Sequence, residues 1–513
     1  MPAIPDAKLK LIYRLIPPAL IAAVTLGVYA STLLNGFVYD DNHILLSNIW
    51  VTDFRYAPDI LFSPLMSFDA AKTASNTYRP LLFFLFMAEH YVFGFKPLGF
   101  HLVNIVLHAA NAVLVYYLAG FFLKGSFGEG EGDRGRLTGT VCAVFAGLVF
   151  SLHTVNTEVV NWVSAQAELT YTFFTLASFN IFIRAGAGRR TGLMILSALF
   201  FLLALFCKET AAALLPIIFL YGLTEKGRGP VKGWKGYLLF VLTFFAFMAI
   251  RTYAIGGIIH HKQADLGIWS AVVNVFPLVA GYFSKLVYPS GLNILYEFHP
   301  ARGLSDIRVI AGIAITIAFM VCAVFFRRRR PVYTALVVAA VPLLPVLYIP
   351  ALSTAASADR YLYLPSVGFA ILLAYLCGQA LKRRGTAVAA VFVSVILLAA
   401  YSVASIERGR VWRDDYSLWA DALKKSPNNP NVHYNFAWAS HGKGDFGNAI
   451  AHYSETIRLD KGAADAHYNL GVIYAYRKDT KEAAFEFREA LKINPGYKEA
   501  ADRLLEIQSG SLQ

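Results

Sequence analysis

Apolar residues fall into long runs separated by short polar breaks from the N-terminus to about Val411, after which the texture changes. A helix rises 1.5 Å per residue, so about 20 apolar residues cross a hydrocarbon layer of roughly 30 Å. Runs 11–34, 98–123, 138–153, 166–184, 191–207, 209–224, 236–256, 306–326, 332–350, 361–380 and 385–405 fit this description. Runs 80–94 and 269–288 are shorter or more amphipathic and are read as re-entrant or surface helices. The pattern predicts an all-α, polytopic bundle of about eleven spans over residues 1–411, with outer loops at 35–97 and 257–305. The first loop contains Phe54-Arg55-Tyr56 and Ile60-Leu61-Phe62, amphipathic stretches suited to headgroup depth.

Beyond Val411 a period of 34 residues emerges. His433-Tyr434-Asn435-Phe436-Ala437 recurs as His467-Tyr468-Asn469-Leu470-Gly471, and Asp445, Ala449, Tyr453 and Leu459 recur as Asp479, Ala483, Phe487 and Ile493. That period and these residue types mark tetratricopeptide repeats, each a pair of antiparallel helices. Residues 412–513 are predicted to form a helical solenoid of two full repeats plus flanking helices. Stacked pairs of this kind make a concave groove suited to extended peptide.

Charge sets the expected orientation. Residues 1–411 carry 33 Lys and Arg against 19 Asp and Glu, whereas 412–513 carry 13 against 14. The basic surplus therefore belongs to the membrane part and reflects insertion, not nucleic acid. Segments 1–14, 124–137, 184–191, 225–235, 327–331 and 380–385 hold 20 of those 33, including Arg327 to Arg330 in a row. They fall on one side only if runs 80–94 and 269–288 do not span, and the positive-inside rule makes that side cytoplasmic. The N-terminus is then cytoplasmic and acts as an uncleaved anchor. The repeats lie on the outer face, periplasmic or lumenal, and a bacterial inner membrane is the expected setting. Cys142, Cys207, Cys322 and Cys377 sit in or at the ends of apolar runs, as apolar filler and not as a disulfide or metal framework.

Fourteen of the 19 acidic residues lie outside or at outer span ends in this topology, although insertion does not require it. Asp40 and Asp41 follow directly on the first span, and His153, Glu158, Lys208, Glu209, Asp359 and Arg360 lie at other outward ends. Titratable groups gathered on one face of a membrane protein point to a site. His153 and Glu158 are five apart, a spacing that does not face two metal ligands together on a helix. They are read as site-shaping, with Glu209 and Asp359. His101, Asn104 and His108 share one stripe of a span, where interhelical hydrogen bonding is the expected role.

The stretches Phe37-Val38-Tyr39-Asp40-Asp41, Tyr78-Arg79-Pro80-Leu81, Gly99 to Asn104, His153 to Glu158, Cys207-Lys208-Glu209 and Asp359 to Ser366, with the repeats following, carry a family resemblance. The chain resembles GT-C membrane glycosyltransferases, above all the transmembrane and tetratricopeptide-repeat O-mannosyltransferases. The resemblance implies inverting transfer of a sugar, mannose by the family's name, from a polyprenyl-phosphate donor to an acceptor hydroxyl on the outer face. The chain has fewer repeats than the large animal members. Inversion needs a carboxylate to take the acceptor proton and positive charge, or a metal, to receive the leaving phosphate. Asp40 or Asp41 supplies the base, the family pattern favouring Asp40, while the other orients it or holds a divalent cation. Arg360 is the expected phosphate partner because a guanidinium binds phosphate oxygens in a fork, with Arg79 and Lys208 behind it. The expected partners are the lipid-linked sugar, membrane lipids and a protein or peptide acceptor in the repeat groove.

Two other classes fit parts of the pattern. A transporter would also have many spans, but would show internal repeats and mid-membrane charge. A non-catalytic anchor carrying a docking domain would have no need of Asp40, Asp41, Glu209 and Arg360.

Overall fold

The computed structural model describes residues 6–65, 67–68, 77–128, 132–186, 190–224, 234–257, 267–347 and 357–509. Parts of the basic segments 124–137, 184–191 and 225–235 and of the two expected outer loops lie outside these residues. No strand occurs among the described residues, so the all-α expectation holds.

Twenty-one α-helices follow one another among the described residues: α1 (Asp6–Val28), α2 (Ala57–Phe62), α3 (Pro80–Phe93), α4 (Pro97–Gly128), α5 (Gly132–Leu152), α6 (Thr157–Asn161), α7 (Gln166–Ala185), α8 (Thr191–Cys207), α9 (Leu214–Gly222), α10 (Trp234–Ile255), α11 (Ile268–Val287), α12 (Ile307–Phe325), α13 (Arg330–Ala340), α14 (Pro365–Leu381), α15 (Arg384–Val411), α16 (Asp415–Lys425), α17 (Pro430–Gly442), α18 (Phe446–Leu459), α19 (Ala464–Tyr476), α20 (Thr480–Ile493) and α21 (Lys498–Gln508). Proline opens α3, α4, α14 and α17, where its missing N–H costs nothing and its fixed φ suits the first turn. Proline also ends regularity: past Ala340 the expected span 332–350 tightens into a 3-10 segment, Val341–Leu347, containing Pro342 and Pro345. The run 209–224 likewise begins as a 3-10 turn, Glu209–Ala213, before α9.

Among the described residues seven helices are long and apolar enough to cross a membrane, and with the shorter apolar helices they make the chain an integral membrane protein. Trp269–Val287, expected to be re-entrant, is one of the seven by length and composition, whereas Pro80–Phe93 is too short.

The chain divides into two compact units, Met1–Leu292 with Pro300–Trp412, and Asn293–His299 with Arg413–Gln513. In the first, α4, α5, α7, α8, α13 and α14 surround a continuous core that includes Ala112, Val149, Phe179, Phe201 and Ile371. Small residues set the closest approaches. A Cβ on Gly147 would stand 3.1 Å from the Ala112 carbonyl oxygen, so α5 lies backbone-close to α4. The expected polar stripe on α4 ties helices together. His108 bonds the Tyr363 hydroxyl at 2.8 Å and the Ser151 carbonyl at 2.9 Å, and Asn104 donates to the carbonyls of Val160 and Trp162.

The second unit is the repeat solenoid. Helices α17 and α18 pack through Ala437, Ala449 and Tyr453, and α20 and α21 through Ala483, Phe487, Ala490 and Ala500. Gly471 stands where the previous repeat has Ala437, and a Cβ there would overlap the Phe487 ring. Residues 293–299, expected to be outer loop, belong to this unit. The Ser426 hydroxyl donates to the Leu295 carbonyl at 2.8 Å, and the Asn428 N–H donates to Glu297 at 2.7 Å.

Candidate active site

The loop after α1 begins at Asn35, whose side-chain amide donates to Asn161 Oδ1 at 3.0 Å. Tyr39 then adopts φ +54°, a left-handed conformation costly for a bulky residue and typical of functional turns. Stacking holds it there. The Tyr39 ring lies on Trp162 at 5.7 Å, and Trp162 lies on fully buried Trp412 at 6.2 Å. The turn sends the two adjacent carboxylates into different surroundings.

Asp41 is completely buried and its two oxygens are occupied. The Ser164 N–H and hydroxyl donate to Oδ1 at 2.7 and 2.5 Å, and the Val38 N–H donates to Oδ2 at 3.1 Å. Burial pushes its carboxyl up to about 7 against the pull of these donors. Asp40 remains partly exposed. Burial raises its carboxyl above the ordinary range, and the nearby Arg360 and His43 charges pull it back. Asp41 therefore builds the loop, and Asp40 presents it.

Arg360, on the 3-10 turn Asp359–Leu362 ahead of α14, lies over the Trp162 and Tyr361 rings at 5.3 Å each. Its Nη1 donates to Glu158 Oε1 at 2.7 Å, and its Nε stands 4.0 Å from Glu168 Oε1. Lys208 donates to that same Glu168 oxygen at 2.5 Å and lies over Tyr361 at 5.3 Å. The side chains of Glu158, Glu168 and Lys208 are at most 7% exposed and that of Arg360 is 19% exposed, so removing one partner would strand a buried charge. Burial pushes the Glu158 carboxyl up, with Arg360 opposing it, and Glu158 Oε2 has no hydrogen-bond partner among the described residues. Arg79 completes the group of cations. Its charge is felt at Glu168, and its Nε is buried without a partner among the described residues.

Three cations, Arg79, Lys208 and Arg360, thus meet two carboxylates, Glu158 and Glu168, leaving one positive charge in excess beside Asp40. Such a group can receive negative charge developing on a phosphate ester while a neighbouring carboxylate takes a proton. Among the described residues no group of three or more His, Cys, Asp and Glu side chains is placed to hold a metal ion.

Other expected site residues lie at the edge of this cluster. Asp359 pairs with Lys285 at the end of α11, at 3.2 Å. His153 bonds the Leu286 carbonyl at 2.9 Å and packs on Phe369 and Tyr401, bracing α11 against the bundle. Lys208 has an extended backbone, so Glu209 diverges from it, and Glu209 Oε2 is buried without a partner among the described residues. Sequence reasoning missed Trp162, Ser164 and Glu168. The signal available was the density of polar residues in Asn161-Trp162-Val163-Ser164-Ala165-Gln166-Ala167-Glu168, across the start of the run 166–184.

Comparison with known proteins places these stretches in a wider group. Residues 464–497 match the tetratricopeptide repeat family, and 439–477 match a second TPR repeat family. The human protein O-mannosyl-transferase TMTC4 is 25% identical over 84% of this chain and 65% of its own length. Human protein O-mannosyl-transferase TMTC3 is 24% identical over 93% and 55%. Drosophila melanogaster protein O-mannosyl-transferase Tmtc3 is 24% identical over 91% and 58%. The chain spans between about half and two-thirds of the length of these curated relatives. It resembles the TMTC-type protein O-mannosyl-transferases over most of its own length.

Proposed function

We propose that this chain is a glycosyltransferase of GT-C type that moves a sugar from a polyprenyl-phosphate donor to a hydroxyl of a protein acceptor. Mannose is the sugar suggested by the names of its relatives. The transfer takes place at the outer membrane face, with the N-terminus cytoplasmic, in a bacterial inner membrane. The observation that carries this reading is the partly exposed Asp40 within reach of the Arg360 charge, beside the cluster that Arg360, Lys208 and Arg79 form around Glu168.

In the proposed step the acceptor hydroxyl gives its proton to Asp40 and its oxygen attacks the anomeric carbon. The bond from that carbon to the phosphate oxygen breaks, and its electron pair stays on the phosphate. Arg360 takes that charge with its fork, and Arg79 and Lys208 add to the local positive potential. Glu158 and Glu168 hold Arg360 and Lys208 in place before donor arrives. The open Oε2 of Glu158 is available to a sugar or acceptor hydroxyl. The repeats contribute protein binding, and we assign the acceptor to their groove.

The test uses the purified full chain in lipid nanodiscs with radiolabelled polyprenyl-phosphate mannose and protein acceptor. Wild type should transfer label, and Asp40→Asn should lose about a hundredfold to ten-thousandfold in rate while still binding donor. Near-normal turnover by Asp40→Asn would remove the base from this reading.

A further inference from the structure

At the ends of α4, α5 and α7 remote from Asp40 lies a recess of about 830 Å³, closed on its other side by α1. It falls within the roughly 300–1,000 Å³ usual for ligand sites. Its remoteness follows from the helices themselves. Glu168 stands in the first turn of α7 and Arg184 in the last, 16 residues or about 24 Å away. Asn104 and Lys124 are separated along α4 in the same sense. The recess therefore belongs to the opposite membrane face from the cluster around Arg360.

Its walls are apolar and open sideways: Leu20, Phe121, Leu137 and Val141 line it, and all four are exposed. Its polar rim is cationic. Lys124 lies over the Tyr116 ring at 5.8 Å and Arg184 over the Tyr117 ring at 5.7 Å. Neither forms an ion pair or hydrogen bond with a carboxylate among the described residues. Four apolar walls that admit a chain from the side, topped by two cations, are complementary to an acyl chain ending in a phosphate.

We propose that this recess is a binding site for an anionic phospholipid of the leaflet opposite the catalytic cluster, its phosphate held between Lys124 and Arg184 and one acyl chain lying against Leu137 and Val141. Ordinary snorkelling would give both cations a general attraction to headgroups without selecting one lipid. A built site selects. Near an anionic surface each cation contributes about a factor of five, so the pair should favour an anionic headgroup by roughly tenfold to thirtyfold.

The test measures lipids retained by the full-length protein after detergent exchange, using native mass spectrometry with phosphatidylglycerol and phosphatidylcholine of identical chains. Wild type should retain the anionic lipid at least tenfold better. Lys124→Gln with Arg184→Gln should abolish that preference, and since both side chains are exposed the fold should persist. Val141→Trp fills the recess without touching the charges and should reduce retention of both lipids. Equal retention by wild type, or a preference unchanged in the double variant, overturns the proposal. Stronger retention of polyprenyl phosphate than of phosphatidylglycerol also overturns it, by giving the recess to a different lipid.

Discussion

At the scale of single residues, the adjacent carboxylates separate by what surrounds them. Asp41→Asn removes acceptor capacity from an oxygen that serves two donors or places an amide against a backbone N–H. It should destabilise the loop by about 1–3 kcal/mol and lower transfer indirectly. Ser164→Ala should reproduce part of that loss, whereas Asp40→Asn should leave the melting temperature unchanged; thermal unfolding of the three variants decides between the roles. Arg360 makes two separable contributions. Arg360→Lys keeps the charge but loses the fork and the ring contacts, so donor use should fall about tenfold to a hundredfold. Arg360→Gln also removes a charge that pulls the Asp40 carboxyl down against burial. A base works when deprotonated, so transfer falls as pH drops through the raised Asp40 value. The acid limb of the rate profile should move to higher pH in Arg360→Gln, and an unmoved limb would detach Asp40 from the rate-determining proton transfer. Asp40, Asp41, Lys208 and Arg360 were legible because a charge beside an apolar run stands out. Trp162 and Ser164 were not, since ring stacking and donor geometry leave no periodic mark. Glu168 was hidden in the first turn of a segment read as a span.

At the scale of elements, hydrophobic periodicity located nearly every helix, but not how each one ends or what it touches. Pro342 and Pro345 explain the shortened α13. The role of α11 depends on contacts that periodicity does not encode, namely Lys285 on Asp359 and the Leu286 carbonyl on His153. A Cβ on Gly312 of α12 would overlap the carbonyl of Phe276 on α11, so Gly312→Ala should displace α11. Misplacement of supporting groups by about 1 Å can cost up to a hundredfold in rate. Transfer by Gly312→Ala should fall at least tenfold. Gly281→Ala, on α11 but facing open space, should leave the rate unchanged. Equal rates in the two variants would show that α11 does not position the cluster.

At the scale of the whole molecule, the 34-residue period announced the solenoid, since a repeat must bury the same face each time. The inclusion of residues 293–299 was not legible, because a short irregular segment has no period to read. Deleting residues 413–513 should spare donor binding, measured by retention of polyprenyl-phosphate sugar, and reduce transfer to protein. A parallel loss of donor binding would mean that the solenoid supports the membrane unit itself.

The bond between Asp41 and Ser164 joins residues 123 positions apart, and Arg360 follows Asp40 by some 320. Chains are synthesised at about 5–20 residues per second, so Asp40 is made on the order of 20–60 s before its cationic partner exists. Until Ser164 has been made the loop lacks two of the donors that shape it, and for the whole interval it lacks the guanidinium. Birth order thus acts as a safety catch: a ribosome-bound or prematurely terminated chain carries the carboxylate pair but cannot assemble the charge cluster until the turn beyond the thirteenth helix has been made.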